Sequence, residues 1–154
     1  MDFETFVSEE CTLKKLSLDE YLAHPECTVY AVSLVDKDGP VFYGDPKDMP
    51  GVEFLYDVVL AHNAGFERAV CAKLGLKKWL DMPWFDTADL AAYLQCARSL
   101  AAASKLLLKG IPPKMPINLF TEEQTVKNEK IKEYCIHDSW LSLKLWETFR
   151  HHWP

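Results

Sequence analysis

Two acidic motifs stand near opposite ends of this 154-residue chain, and each predicts a definite local structure. Near the start, Asp2 and Glu4 are separated by one residue, so both carboxylates point to one face of an extended strand. Near the end, Tyr134 and Asp138 are four residues apart, which places a phenol and a third carboxylate on one face of a helix. If the strand and the helix pack together, the combined set can hold a divalent metal ion and orient a water molecule.

Each motif also has an ordinary structural interpretation, and neither is specific when taken alone. The start of the chain is compatible with a solvated terminus in which Thr5 caps a helix. Tyr134 and Asp138 are compatible with the rim and the exposed face of an amphipathic helix. A functional interpretation therefore depends on whether other polar segments join them.

A third polar segment follows the apolar run at 58–60. It consists of His62 and Asn63, a turn of small residues, and a predicted helix that carries Glu67 in its first turn. A strand that ends in polar residues before a helix places them at its carboxyl end, where α/β sheets bind ligands. The alternative is structural, with Asn63 capping the helix and Glu67 complementing the helix dipole. Both interpretations stay open at this point.

The rest of the pattern predicts an α/β chain with an antiparallel beginning. After a short initial strand, strands are predicted at 27–36, 40–43, 54–61 and 84–85, with a hairpin turn at 36–39. Helices are predicted at 17–23, 64–74, 99–108 and about 125–151, together with one that ends near Leu94. We expect a single domain, residues 1–154, with a mixed central β-sheet flanked by α-helices.

Composition predicts a soluble, cytoplasmic protein without a membrane partner. Hydrophobic residues make up 49% of the sequence, enough for a compact core. No run approaches the roughly 18 apolar residues of a membrane span, and no signal-peptide pattern opens the chain. The five cysteines are scattered, which predicts reduced, mostly buried thiols.

The net charge of −6 argues against a nucleic-acid binder held by a broad basic surface. It does not exclude a nuclease, because metal-binding acids contribute to that charge and bound cations invert the local field. Among the lysine-rich stretches, 105–114 is the best candidate to line a groove. Its Gly110–Pro113 segment breaks a helix and predicts an exposed loop beside the site.

Taken in order, the three polar segments resemble the motifs of the DEDD superfamily of exonucleases, which has an α/β, ribonuclease H-like fold. The position of Tyr134 resembles that of the tyrosine branch, since the histidine branch has its base at the position of Glu133. Other segments look like the 3′→5′ exonuclease domain of phage-type family A DNA polymerases. They lie at 13–15, 21–25, 85–87 and 91–100.

The resemblance implies a two-metal site with a catalytic tyrosine. Asp2, Glu4 and Asp138 would hold one divalent ion. Asp2 would bridge to a second ion about 3.5–4 Å away, which Glu67 would hold directly or through water. Ligands that are all oxygens suit Mg²⁺ or Mn²⁺. Tyr134 would orient the attacking water, since a phenol with an ordinary pKa near 10 suits that role better than the role of base.

The resemblance also implies substrate contacts and partners. The candidates for contact with the terminal nucleotide are Thr5, Phe6, His62, Asn63 and Phe66. His62 is alternatively a structural histidine, and Phe66 a core residue. The expected substrate is a single-stranded 3′ end, with DNA favoured because of the polymerase resemblance. A DNA polymerase or another replication protein is the implied protein partner, in a bacterial or phage-infected cell.

Some residues depart from the family pattern or lie beside it. The family usually has aspartate where this chain has Glu67, and Asp86 is an alternative fourth acid, although capping of the following helix is its more ordinary role. In the family, apolar strand residues normally precede the first acid, so we expect either that the gene starts late or that a neighbouring segment or a partner completes the first strand. His137 faces about 100° away from Asp138 on the helix and is expected to be a bystander.

Three functions follow from the sequence. The first is a metal-dependent 3′→5′ exonuclease acting on single-stranded or frayed DNA, as a stand-alone proofreading module of a phage or phage-like element. The second is an RNA-trimming exonuclease of the same fold. The third is a catalytically inactive module that binds nucleic acid or a polymerase, motivated by Glu67 and the short first strand.

Overall fold

Five strands and six helices make up the computed structural model, which describes residues 1–154. The strands are β1 (Asp2–Thr5), β2 (Val29–Asp36), β3 (Gly39–Gly44), β4 (Val59–Ala61) and β5 (Trp84–Asp86). The helices are α1 (Leu18–Ala23), α2 (Ala64–Lys73), α3 (Lys77–Leu80), α4 (Thr87–Tyr93), α5 (Leu100–Leu107) and α6 (Glu129–Phe149). The predicted mixed α/β class is confirmed.

The first three strands form an antiparallel sheet with β2 in the middle. Asp2 lies opposite Ser33 and Glu4 opposite Ala31. The hairpin turn at 36–39 joins β2 to β3, and Gly39 has a φ of 125°, a conformation that glycine adopts without strain. The predicted antiparallel beginning is therefore confirmed.

The last two strands form a separate parallel pair. Val59 lies opposite Trp84 and Ala61 opposite Asp86, with α2 and α3 in the connection between the strands. The two groups of strands meet at Met1, whose ammonium donates a hydrogen bond to the Leu60 carbonyl at 2.9 Å. The structure therefore has two separate sheets, one antiparallel and one parallel, in place of the single mixed sheet that was predicted.

The strand predicted at 54–61 is wrong over its first part. Glu53–Leu55 forms a 3₁₀ turn, and the Phe54 and Leu55 side chains are 78% and 62% exposed. Only Val59–Ala61 pairs, because its partner β5 is itself three residues long. The apolar run indicated burial, but the length of a paired strand depends on a partner that is distant in sequence.

Capping side chains set the helix boundaries. Ser17 and Glu20 form a reciprocal capping box at the start of α1. The Asn128 side chain accepts the N–H groups of Lys130 and Ile131, so α6 begins after Asn128 and not near 125 as predicted. The helices predicted at 17–23, 64–74 and 99–108 are confirmed, to within one residue at each end, as α1, α2 and α5.

Apolar side chains form two buried clusters. The larger one lies between the antiparallel sheet and the first three helices, and includes Phe3, Tyr21, Val32, Val70 and Trp79. The smaller one joins α4, α5 and the second half of α6, and consists of Ala91, Leu100, Ala103, Leu108, Leu141 and Leu145. All five cysteines are free and four are buried, as predicted. No helix combines the length and the apolar character that a membrane crossing requires.

An apolar cavity of about 650 Å³ lies beside Met1. One wall is formed by Leu34 and Val35 of β2, which follow the last β2 residue that pairs with β1. The opposite wall is formed by 58–60, and α6 closes one side. The cavity therefore continues the line of β1 between β2 and β4.

Candidate metal centre

Three elements bring the predicted acids together. Asp2 and Glu4 lie on β1, Glu67 lies in the first turn of α2, and Asp138 lies in the middle of α6. Glu4, Glu67 and Asp138 are buried, and Asp2 is half-buried with one fully buried carboxylate oxygen. We call these four residues the carboxylate cluster.

Small polar contacts hold α6 against the sheet at the carboxylate cluster. The Ser33 hydroxyl donates to the Cys135 carbonyl at 2.9 Å and lies 2.5 Å from the Ser139 hydroxyl. The Cys135 thiol in turn donates to the Asp2 carbonyl, with 3.5 Å between the two atoms. Because Ser33 is the strand partner of Asp2, these contacts place one turn of α6 directly over β1.

Two oxygens of the carboxylate cluster have no hydrogen-bond partner. They are Asp2 Oδ2 and Asp138 Oδ1, and both are buried. The ligand atoms of Asp2, Glu4 and Cys135 all lie within 4.8 Å of one another. Buried polar atoms without partners are rare in folded proteins. Asp138 and Glu67 lie outside the group formed by Asp2, Glu4 and Cys135. A cation held by Asp2 and Glu4 would supply the partner that Asp2 Oδ2 lacks, so this part of the carboxylate cluster fits a metal ion.

Burial raises the pKa values of all four acids, and repulsion from neighbouring carboxylates adds to this for Asp2, Glu4 and Glu67. For Asp2, burial is the larger cause and the charge of Asp138 the next, and the pKa is raised to about 7. Burial and then the charge of Asp2 raise the pKa values of Glu4 and Glu67 well above their usual range. Burial also raises the pKa of Asp138, while Lys114 opposes this shift. The ionised carboxylate cluster is therefore unfavourable without a cation.

Lys114 is the cationic side chain that contacts the carboxylate cluster. Its ammonium bonds to Asp138 Oδ2 and lies 4.2 Å from the centre of the Tyr134 ring. The Lys114 side chain is 23% exposed and that of Asp138 is 6% exposed, which makes this the most buried ion pair of the protein. The lysine-rich stretch at 105–114 therefore reaches the site at its last residue, directly after the loop predicted at Gly110–Pro113.

His137 holds the loop that carries Lys114. Its Nε2 donates to the carbonyls of Pro112 and Pro113, at 3.2 and 3.0 Å. The backbone N–H of Lys114 donates to the Ser104 hydroxyl at 3.1 Å, which fixes the loop to α5 as well. His137 makes no hydrogen bond to the carboxylate cluster, so its contribution is to loop position.

Tyr134 lies one helical turn before Asp138 and is half-buried. Burial, followed by the negative charges of Asp138 and Glu4, raises the pKa of the phenol above its ordinary value. The hydroxyl is therefore neutral near pH 7. A neutral phenol can orient a water molecule, but it is a poor general base.

A shallow groove of about 290 Å³ opens beside Tyr134. Its other lining residues are Val7, Thr12, Ile117, Asn118, Leu119 and Phe120. The Phe120 side chain is 54% exposed, and the Gln124 amide fixes this segment by bonding to both the N–H and the carbonyl of Val7, at 2.8 and 2.7 Å. The groove thus offers an exposed aromatic surface next to the predicted catalytic tyrosine.

Glu67 differs from the other acids because it already has a backbone partner. Its Oε2 accepts the N–H of Phe3 at 3.1 Å. The N–H groups of Met1 and Phe3 point to the same edge of β1, because they are two residues apart. At that edge the Met1 ammonium donates to the Leu60 carbonyl of β4, and the Phe3 N–H, the next donor along the edge, donates to Glu67.

Asp86, the alternative fourth acid, caps two helices and is not part of the carboxylate cluster. Its carboxylate accepts the Ala88 N–H at 2.8 Å, which confirms the predicted cap of α4. It also accepts the N–H groups of Asn63 and Ala64 at the start of α2, at 2.9 and 3.1 Å. The Asn63 side chain makes no capping bond, so the interpretation in which Asn63 caps α2 is wrong.

Three of the predicted substrate-contact residues lie around Tyr21. The Thr5 hydroxyl is buried 2.7 Å from the Tyr21 hydroxyl, which in turn donates to the Phe6 carbonyl at 2.8 Å. The Phe66 ring lies 6.4 Å from the Tyr21 ring, at the border of the larger core cluster. The Phe6 side chain is half-buried. These contacts give Thr5 and Phe66 structural roles.

The other two predicted substrate-contact residues are adjacent at the end of β4. His62 has both ring nitrogens engaged, with Nδ1 3.0 Å from the Thr87 hydroxyl and Nε2 2.5 Å from the Arg98 carbonyl. Burial lowers the pKa of His62, which favours the neutral ring. Asn63 has an exposed side chain and a φ of 72°. His62 is thus held as a structural histidine, and Asn63 is accessible from solvent.

Two residues of the site were not identified from the sequence. Cys135 lies three residues before Asp138, a spacing that places both on one helix face, so the signal was present. Burial and the charge of Asp2 raise the pKa of its thiol, which keeps it neutral. Lys114 belongs to the lysine-rich stretch at 105–114, but its contact spans 24 residues of sequence and follows two prolines, so no local pattern indicates it.

The arrangement can hold a hard divalent cation. Its buried oxygens without partners come from Asp2 and Asp138, and oxygen ligands suit Mg²⁺ or Mn²⁺ better than a neutral thiol does. The carboxylate cluster and the half-buried phenol of Tyr134 belong to one site, at the edge of an apolar groove. No protein-family model matches this chain, and neither does a curated protein or a solved structure.

Proposed function

We propose that this protein is a metal-dependent 3′→5′ exonuclease that removes nucleotides from single-stranded or frayed DNA ends. One observation carries the proposal. Three segments that are distant in sequence bring four acids to one buried cluster, in which Asp2 Oδ2 and Asp138 Oδ1 have no partner. Groups that destabilise a fold and yet converge are typical of functional sites.

The order of the elements supports a ribonuclease H-like fold as part of the same proposal. An antiparallel unit of three strands is followed by two parallel strands with helices between and after them. The contact from Met1 to Leu60 places β1 between β2 and β4. In this fold β1 lies at the centre, where its acids face the long final helix.

The chemistry of phosphodiester hydrolysis matches what these residues can do. Bound divalent ions would supply a water of lowered pKa and charge stabilisation at the leaving 3′ oxygen. Asp2, Glu4 and Asp138 would hold one ion, while Asp2 and Glu67 would hold the second. Burial keeps these carboxylates rigid and excludes competing water, which strengthens their hold on a cation.

Tyr134 and the groove beside it would act on the substrate. The neutral phenol can hydrogen-bond the attacking water and orient it toward the terminal phosphate. Phe120 presents an exposed ring in that groove, and aromatic stacking accepts any base. We therefore expect weak sequence preference.

A time course on 5′-labelled single-stranded DNA and RNA of one sequence tests the proposal. With Mg²⁺ or Mn²⁺ we expect a ladder that shortens from the 3′ end, and none with chelator. Asp138→Asn should lower the rate by at least about 10²–10³-fold, the scale seen when one group that stabilises transition-state charge is removed. Glu133→Gln is the matched control, because Glu133 is an exposed acid on the same helix and should leave the rate unchanged.

The substrate arm separates the two enzyme hypotheses. Degradation of DNA in preference to RNA supports the proofreading module, and the reverse supports an RNA-trimming enzyme. Equal loss of activity in Glu133→Gln and Asp138→Asn would contradict the assigned site, since the control would then behave like a ligand.

Two contacts favour a second candidate, a non-catalytic module that binds nucleic acid or a polymerase. The Lys114 ammonium already bonds to Asp138, and a backbone N–H already bonds to Glu67. Such a module would bind single-stranded DNA equally well in chelator and in Mg²⁺, and Asp138→Asn would not weaken that binding. Absence of the ladder together with such binding would support this candidate.

A further inference from the structure

One contact stands apart from the proposed metal site. Asp138 is a predicted metal ligand, and yet its Oδ2 already accepts a hydrogen bond from the Lys114 ammonium, while its Oδ1 has no partner. Every other ion pair includes a lysine or arginine that is 30% or more exposed, whereas Lys114 is 23% exposed. The Lys114–Asp138 pair is therefore built into the site and is not a surface contact.

We propose that Lys114 is a built-in counter-ion of the carboxylate cluster. Its ammonium neutralises Asp138 in the metal-free protein, and a divalent ion that binds through Asp138 must displace it. This inference rests on the proposed function, because it takes the carboxylate cluster as the metal site. Metal affinity is then set by competition between Lys114 and the ion for one carboxylate.

The geometry allows this displacement without movement of the loop. His137 holds the Pro112 and Pro113 carbonyls, and Ser104 holds the backbone N–H of Lys114, so the backbone stays in place. The lysine stem is flexible and can move alone. The Tyr134 ring lies 4.2 Å from the ammonium, and this contact can hold the cation after its bond to Asp138 is lost, because an aromatic face attracts a cation.

The other cation at the site does not bond to Asp138. The Met1 ammonium bonds to the Leu60 carbonyl, and its charge acts on Asp2 and Glu67. Lys114 bonds to Asp138, and its charge acts on Asp2 and Glu4 as well. Removal of Lys114 should therefore leave the Asp138 carboxylate free for the ion, and it also removes a positive charge that stabilises the ionised forms of Asp2 and Glu4.

Mn²⁺ binding, measured by electron paramagnetic resonance of the free ion, tests the inference on the wild type and four variants, of which Asp138→Asn removes the ligand itself. Lys114→Met removes the charge and keeps the length of the side chain, Lys114→Arg keeps the charge, and Lys109→Met is the control. Lys109 is exposed in the same loop and forms no ion pair. Lys114→Met should bind Mn²⁺ at least about tenfold more tightly than the wild type, since a competing unit charge is gone. Lys114→Arg and Lys109→Met should stay close to the wild type.

Thermal unfolding of the same proteins gives a second readout. In chelator, Lys114→Met should melt at a lower temperature than the wild type, because Asp138 loses its counter-ion. Saturating Mn²⁺ should abolish that difference. This measurement keeps the test valid if Lys114→Met is too unstable for titration without metal.

The outcomes separate the inference from the proposed function. Suppose that the wild type binds Mn²⁺ and Asp138→Asn does not, while Lys114→Met binds the ion no more tightly than the wild type. This result overturns the inference alone. It would mean that the ion binds Asp138 Oδ1 while Lys114 stays in place. Absence of Mn²⁺ binding in all proteins overturns both. Tighter binding by Lys114→Met, with unchanged binding by Lys109→Met, supports the counter-ion role.

Discussion

Asp86 and the Asp2–Asp138 pair are acids in two neighbouring regions of the molecule, and their surroundings are opposite. The Asp86 carboxylate accepts three backbone N–H groups, from Asn63, Ala64 and Ala88. In the carboxylate cluster, Asp2 Oδ2 and Asp138 Oδ1 accept none. Asp86 was the alternative to Glu67 as the fourth metal ligand, and its hydrogen bonds set it apart from the carboxylate cluster.

The difference teaches how a structural acid and a functional acid can be told apart. Asp86 satisfies the free N–H groups at two helix starts, so its charge stabilises the fold. The carboxylate cluster carries charges that burial disfavours, so it reduces the stability of the metal-free protein. Removal of Asp86 should therefore lower the free energy of unfolding, whereas removal of an acid from the carboxylate cluster should raise it in the metal-free protein.

Asp86→Ala should give the largest change in stability. It leaves the starts of α2 and α4 without a cap, and a loss of about 3 kcal/mol in the free energy of unfolding follows from two caps. Chemical denaturation measures it. Asp89→Ala is the control, because Asp89 also pairs with Arg98 but is exposed and caps nothing, and it should leave stability nearly unchanged. An equal loss of stability in Asp86→Ala and Asp89→Ala would contradict the capping role of Asp86.

Asp2→Asn should act in the opposite direction. The pKa of Asp2 is about 7 in the folded protein and near 3.8 when unfolded, so the folded state binds this proton more tightly. In chelator, wild-type stability should fall as the pH rises from about 4 to about 7, because only the unfolded state ionises freely in that range. Asp2→Asn should remove much of this slope and be more stable than the wild type at pH 8 by on the order of 2 kcal/mol.

The control for that comparison is Asp57→Asn, since Asp57 is exposed and makes no hydrogen bond or ion pair through its side chain. It should follow the wild-type curve at every pH. A lower stability of Asp2→Asn at pH 8 would place Asp2 with Asp86 as a structural acid.

Glu67 combines features of both regions and should give the smallest change. One of its oxygens accepts a backbone N–H, as those of Asp86 do, while burial and then the charge of Asp2 raise its pKa, as they do for Glu4. Glu67→Gln keeps the acceptor for Phe3 and should be about 1 kcal/mol more stable than Glu67→Ala, which leaves that N–H unpaired. Both should lower the exonuclease rate, and full activity in Glu67→Gln would make this residue purely structural.

Local signals explain what the sequence predicted well. Ser17 at the start of α1, the turn before Gly39 and the apolar periodicity of α6 each act within a few residues, so they can be recognised without the fold. Asp2, Glu4 and Asp138 were found for the same reason, since their spacing within a strand or a helix fixes a common face.

The remaining features depend on contacts between distant segments. The length of β4 is set by β5, so the strand predicted from Phe54 was too long. The Asp86 carboxylate accepts N–H groups from both α2 and α4. The bond to α4 spans two residues and follows a local capping pattern, whereas no local pattern predicts the bond to α2. Lys114 enters the site because His137 holds the preceding prolines, which is a tertiary contact.

The buried amino group of Met1 has a practical consequence for handling this protein. Any segment joined to it turns the ammonium into a peptide N–H, so the positive charge that acts on Asp2 and Glu67 is lost. Such a segment would enter the apolar cavity beside Met1, where apolar residues that continue β1 fit better than charged ones.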